Sequence, residues 1–279
     1  MRSEPPAVFA NSNSNDGCRY QMASGRTLSR SDTLFYSVFS DNKKYNRKIH
    51  MSEIEIVNRV SHFEGIADWY DTVMSDPEKR GVLNNESNKL LAELAGPGSG
   101  LALDIGCGTG SVSKVLRDLG YNTVGVDLAA DQLRIAAERL PVAQADVTYL
   151  PIASGAVPLI YSTFTQGVYD DLQGVVNEIY RVLAPGGRYI DISTHPCFNG
   201  CYSERQPDGS VIQRPGYRSS HFVPPAHFNS FIRGRVGAWN RPLDESLNII
   251  LKAGFRLRKV AEGGSGKVPD ILAIIAYKE

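Results

Sequence analysis

The sequence predicts an α/β domain, a mostly parallel sheet flanked by helices, and two observations carry that reading. Between residues 101 and 193 short apolar runs alternate with amphipathic segments of about 10–15 residues, the signature of βαβ units with right-handed crossovers. The first apolar run opens directly into a glycine-rich turn, Gly106-Cys107-Gly108-Thr109-Gly110, and a helical segment follows. Strand, glycine loop and helix in that order form a unit that can bring backbone close to a ligand.

Taken in order, the expected strands are 101–105, 122–127, 142–146, 157–163, 188–193, 255–261 and 271–277, seven in all. Helices are expected at 111–119, 130–140, 172–183 (closed by Pro185-Gly186-Gly187) and 243–253 (ended by Gly254). Ahead of the alternation, Ile56, Val60, Phe63, Ile66, Ala67 and Tyr70 fall on one face of a helix over 54–74, broken near Gly65. A second helix covers 84–95 and stops at Gly96-Pro97-Gly98. Residues 1 to about 30 are rich in Asn, Ser, Gly and Pro and read as disordered. Asp32 can cap a short helix carrying Leu34, Phe35, Val38 and Phe39, an apolar stripe that would dock on its own domain or on a second subunit. The expected organisation is a flexible extension over 1–50 and one domain over 51–279. Residues 195–241 form an aromatic-rich insertion after the fifth strand, a natural place for substrate-specific surface.

Composition narrows the function. The 279 residues carry 30 Lys and Arg against 30 Asp and Glu, which argues against a protein that binds nucleic acid by neutralising many phosphates. No apolar run approaches the roughly 18 residues of a membrane span, and the N-terminus lacks the apolar core of a secretory signal. The cytoplasm is therefore the expected location. The four cysteines show no zinc-ligand spacing, so no metal is expected.

Three carboxylates give the glycine loop its chemistry. Asp104 stands directly before the loop, where it would repel a diphosphate but favour a cationic ligand. Asp127 ends the next strand about 20 residues on, where a carboxylate can accept both hydroxyls of a ribose. Asp146 follows the third strand and can accept from an adenine amino group. All three fall at the carboxyl edge of the sheet, where open α/β folds bind ligands.

On LDIGCGTG, VGVDLA, QADVTYLP and NEIYRVLAPGGRYIDIS, together with ADWYD before the fold and PDILAIIAYK at its end, the sequence resembles the class I S-adenosylmethionine-dependent methyltransferases, in their small-molecule, type 11-like group. The likeness implies a Rossmann-like sheet of seven strands with an antiparallel last strand, and S-adenosylmethionine as cofactor with S-adenosylhomocysteine as product. It also implies roles. Asp104, Gly106, Cys107, Gly108 and Gly110 would flank the methionine part, Asp127 would hold the ribose, Asp146 and Val147 would bracket the adenine, and Leu128 would also touch the cofactor. Thr163 would line the methyl-donor pocket, and Tyr70 would close over it. Where many relatives carry histidines after the fourth strand, this chain has STFTQGVYDD.

Methyl transfer is an in-line displacement that asks the protein for alignment and dryness, with a general base only for an acceptor that must lose a proton. His195 follows the fifth strand and is the expected base. Phe198, Tyr202, Tyr217, Phe222, Phe228, Phe231 and Trp239 are expected to supply the aromatic walls of the substrate site, with His221 and His227 of the insertion as further candidates to line it. The expected function is O-, N- or C-methylation of a small natural-product-like acceptor. The alternatives are a carbon methyltransferase sheltering a carbocation, an NAD-dependent oxidoreductase, and a protein that binds the cofactor without turnover.

Overall fold

The structure is a computed structural model that describes residues 7–11, 19–22, 61–76 and 82–279. The expected helix at 34–39 and residues 54–60 of the next one lie outside the described residues. In chain order the elements begin with β1 (Ala7–Asn11), β2 (Arg19–Met22), α1 (Ala67–Ser75), α2 (Val82–Ala95), β3 (Leu101–Ile105), α3 (Ser113–Asp118) and β4 (Asn122–Asp127). They continue with α4 (Ala130–Ala136), β5 (Val142–Gln144), β6 (Val157–Thr163), α5 (Leu172–Val182) and β7 (Leu183–Thr194). The insertion contributes β8 (Ser203–Arg205), β9 (Val211–Gln213), β10 (His221–Val223), α6 (Arg233–Val236) and β11 (Ala238–Asn240). The chain closes with α7 (Leu243–Lys252), β12 (Arg256–Gly263) and β13 (Ile271–Tyr277).

The seven expected strands form one mostly parallel sheet in the order β12-β13-β7-β6-β3-β4-β5, with β13 antiparallel to both its neighbours. Its alternation builds two cores. Leu101, Leu103, Ile105, Val124, Val126 and Ile160 face α5 and α7, burying Ile179 and Ile250. Ala102, Tyr161, Ile190, Ile192 and Ile275 face the other way, onto Leu91 and Leu94 of α2 and Leu116 of α3. This is the period-2 split of a sheet covered on both sides. Helix α5 starts where Asp171 Oδ1 accepts Gly174 N–H at 2.8 Å, an N-cap that relieves an orphan donor.

Three expectations need correction. The extension is not wholly without structure: β1 pairs parallel with β5, and β2 antiparallel with β1, so the sheet continues past β5. An open sheet edge accepts a short strand through backbone hydrogen bonds alone, which composition does not reveal. Residues 61–66 form a turn rather than helix, because Gly65 takes φ +79°. The Pro-Gly-Gly segment belongs to β7, since Leu183 already pairs with Val157.

Gly110 shows how tightly the loop is built into the core. It has φ +73°, and a Cβ there would lie 2.5 Å from Leu140 and 3.3 Å from the Ala136 methyl. Gly110→Ala should destabilise the fold by about 2–5 kcal/mol from backbone strain plus overpacking, read from urea unfolding. A loss near zero would show that the loop can relax without disturbing α4.

Candidate active site

Strand β3 has β4 on one side and β6 on the other, and the strand order runs outward in both directions from this point. Such a switch opens a crevice at the carboxyl ends of the strands. The glycine loop lies across it. Gly106 and Cys107 N–H donate to Val126 O at 2.9 and 3.0 Å, which latches the loop to β4. Gly106 has φ +69°, and a Cβ there would sit 2.6 Å from the Tyr169 hydroxyl, so only glycine fits. The crevice encloses a cavity of about 380 Å³, within the usual range for small-molecule sites.

The acidic residues take distinct positions along it. Asp127 lines the cavity while Oδ2 accepts Gly108 N–H at 2.8 Å and Oδ1 accepts Ala129 N–H at 2.9 Å. Burial raises its pKa, and those backbone donors oppose the rise. Asp146 lines the cavity with Val147, its Oδ1 accepting from Thr148 N–H and Oγ1 at 2.8 and 2.7 Å. Asp104 sits behind the loop, buried at 1% exposure, with Oδ1 lacking a hydrogen-bond partner among the described residues. Burial pushes its pKa up to about 7, the Tyr161 hydroxyl pulls it down, and the Asp127 charge adds to the rise.

A second layer closes the crevice from the N-terminal side. Tyr70 of α1 lines the cavity over Gly108, its ring edge-on to Phe63 at 5.4 Å. The layer is tied down by charge. Arg139 spans both oxygens of Asp71 at 2.6 and 2.8 Å and donates to Thr109 O at 2.8 Å, joining α1 to the glycine loop. Ala67 N–H donates to Asp131 at 3.0 Å, and Gln132 Nε2 to Phe63 O at 3.3 Å, so α4 carries the whole segment.

The structure gathers Tyr70, Gly106, Gly108, Asp127, Leu128, Asp146, Val147, Thr163 and Phe222 on this one cavity. Cys107 and Gly110 lie behind it, the sulfur against Gly125 and the glycine against α4. His195 lies elsewhere. It is buried away from the cavity, with Nε2 2.8 Å from Glu262 of β12 and Nδ1 accepting Cys197 N–H. The chain turns after Thr194 toward the β12–β13 side, where His195 N–H meets Asp270 O at 2.8 Å. Phe198 packs on His195, while Tyr202 bonds His221 at 2.8 Å, so these three also lie off the cavity wall.

Sequence reasoning missed the loop after β6. Thr165, Val168, Tyr169 and Asp170 all line the cavity. Phe164 adopts φ +58°, alone among the described non-glycine residues, the kind of backbone strain that gathers at functional sites. Polar residues after a strand end were the available signal. No cluster of His, Cys, Asp or Glu suited to a metal occurs among the described residues, and no described helix is long and apolar enough to cross a membrane.

Asp104 makes stability depend on pH. Between its ordinary value of 3.8 and about 7 the folded chain holds a proton that the unfolded chain releases, so stability falls as pH rises through that window. Asp104→Asn should therefore be more stable than the parent at pH 8, by up to a few kcal/mol, with the gap closing toward pH 5. Parallel stability curves from pH 5 to 8 would contradict a strained carboxylate at this position.

Comparison with known proteins now bears on this geometry. A family model described as a methyltransferase domain matches residues 103–191. A malonyl-[acyl-carrier protein] O-methyltransferase from Pectobacterium atrosepticum is 36% identical over 128 residues, 44% of this chain and 51% of that protein. The chain spans about half the length of the curated relatives it matches. A solved S-adenosylmethionine-dependent methyltransferase from Mesorhizobium loti superposes with TM-score 0.56 at 18% identity, covering 70% of this chain and all of that one. Another, from Thermotoga maritima, gives TM-score 0.57 at 18% identity over 78% of this chain and 98% of its own. Residues 103–191 thus match the methyltransferase-domain family model, and the chain has the fold of the S-adenosylmethionine-dependent methyltransferases.

Proposed function

We propose that the protein transfers a methyl group from S-adenosylmethionine to a small organic acceptor, leaving S-adenosylhomocysteine. The observation that carries this is one cavity with a carboxylate rim at the sheet edge and aromatic walls, Phe63, Tyr70, Phe222 and Trp239, on its other side. The residues fit the cofactor. Gln132 lines the cavity, and its Oε1 is buried without a partner among the described residues, as a polar atom awaiting a ligand would be.

In this reading Asp127 holds the ribose hydroxyls, Asp146 with Val147 brackets the adenine, and Gly106 and Gly108 let the methionine part approach the backbone under the Asp104 field. Thr163 and Tyr70 border the methyl. When bound, the cofactor supplies an activated methyl and its own leaving group. The chain's task is alignment and exclusion of water, which the Arg139-anchored α1 layer performs. His195 takes no part, because it faces Glu262 rather than the cavity. The acceptors printed in the relatives' names differ, from malonyl-acyl carrier protein to a sterol and a demethylmenaquinone, so the acceptor is better read from this cavity than from them.

Isothermal titration tests the assignment. The parent chain should bind S-adenosylhomocysteine, and Asp127→Asn should bind it about tenfold to a hundredfold more weakly, from loss of charge-assisted hydrogen bonds, and should also unfold at a lower temperature because one of the two backbone donors loses its acceptor. His195→Gln should keep both cofactor affinity and labelled-methyl incorporation into an organic extract within about threefold. Equal affinity in Asp127→Asn, or micromolar NADH binding in place of S-adenosylhomocysteine, would contradict the proposal.

A further inference from the structure

Two residues on the wall of the main cavity carry a buried polar atom with no hydrogen-bond partner among the described residues, and both stand against the glycine loop. Gln132 Oε1 lies 3.8 Å from where a Gly108 Cβ would be, and the Tyr169 hydroxyl 2.6 Å from where a Gly106 Cβ would be. An unpaired buried hydroxyl is costly, and on a cavity wall it points to a ligand group that completes it. The Proposed function leaves this phenol unused. Its main chain is nevertheless held in place. Arg241 is buried, and its guanidinium donates to the backbone oxygens of Gln166, Tyr169 and Asp170. Trp239 N–H donates to Gly167 O at 2.7 Å, and Val168 N–H closes a turn on Thr165 O at 2.8 Å. The insertion thus clamps the loop after β6, while the Tyr169 ring packs against the larger apolar core. A side chain fixed in advance costs less to order when a ligand arrives.

The charge around the hydroxyl has one sign. Burial raises its pKa first of all, and the carboxylates of Asp127, Asp104 and Asp191 add to the rise. The Thr165 side chain opposes that rise without forming a hydrogen bond to the hydroxyl. Among the described residues no lysine or arginine lines this cavity. An anion seated against Tyr169 would be repelled by those carboxylates, whereas a cation would be drawn in, and a neutral phenol oxygen can accept a hydrogen bond from it.

We propose that Tyr169 is a specificity-determining residue that reads the free amino group of the methyl donor, the ligand's ammonium donating to the phenol oxygen beside Gly106. This rests on the methyl-transfer reading, in which Gly106 and Gly108 flank the methionine part, and the two can fail separately. Asp127 holds what every adenosine ligand carries. Tyr169 distinguishes a ligand with an amine from one without.

The test is isothermal titration of the full chain with four ligands. These are S-adenosylhomocysteine, its decarboxylated analogue, which keeps the amine, its deaminated analogue, which keeps the carboxylate, and methylthioadenosine, which has neither. Tyr169→Phe keeps the ring and removes only the oxygen. It should weaken S-adenosylhomocysteine and the decarboxylated analogue about tenfold, the loss of one hydrogen bond to a charged group. The deaminated analogue and methylthioadenosine should bind the variant and the parent within about threefold of each other, which also shows that the variant folds. Unmoved S-adenosylhomocysteine affinity in Tyr169→Phe overturns the proposal. So does equal weakening of methylthioadenosine, the mark of a purely structural role, or weakening of the deaminated analogue in place of the decarboxylated one, the mark of an anion contact. Each of these results leaves methyl transfer standing. Failure of the parent to bind any of the four ligands overturns the methyl-transfer reading instead.

Discussion

A single carboxylate at the end of β4 holds two turns of the chain at once. Asp127 accepts from Gly108 in the glycine loop and from Ala129 at the entrance to α4. Backbone N–H groups are obligatory donors, so this pair both stabilises the charge in a buried place and fixes where the loop runs. Once the loop is fixed, the carboxylate is left on the cavity wall, and α4 is set at the angle that carries the covering segment with Tyr70. Loop, wall and cover depend on the same few contacts.

The cavity's second constraint is its negative charge. Buried carboxylates at the sheet edge are costly to ionise in the protein alone, which is why Asp104 rises to about 7. A cationic ligand beside them offsets that cost. A methyl donor with a positive sulfur would then sit in the field that suits it. Arg139 serves a different purpose: it neutralises Asp71, whose pKa its hydrogen bonds hold down, and so locks α1 across the top.

Most of the sheet was legible because its strands are bounded by turns and its helices keep one apolar face, patterns written in adjacent residues. The carboxylate rim was legible for the same reason: Asp127 ends β4, Asp146 follows two residues after β5, and a parallel sheet puts such ends on one edge. His195 lies off the cavity because the chain after Thr194 turns toward Glu262, a direction that strand-end position alone does not reveal. Arg233 and Arg241 gave no sequence signal, since a guanidinium in a glycine- and aromatic-rich stretch reads as surface until the insertion folds back over Thr194 and Gln166. The pairing of Ala7–Asn11 with β5 was hidden too, because an edge strand is recruited by backbone rather than by side-chain pattern.

The most direct measurement is a crystal structure of the chain with S-adenosylhomocysteine. The account predicts the ribose hydroxyls on Asp127, the adenine beside Asp146 and Val147, and the sulfur turned toward Tyr70 and Thr163. A nucleoside lodged elsewhere, or density for a diphosphate seated on the glycine loop, would contradict it.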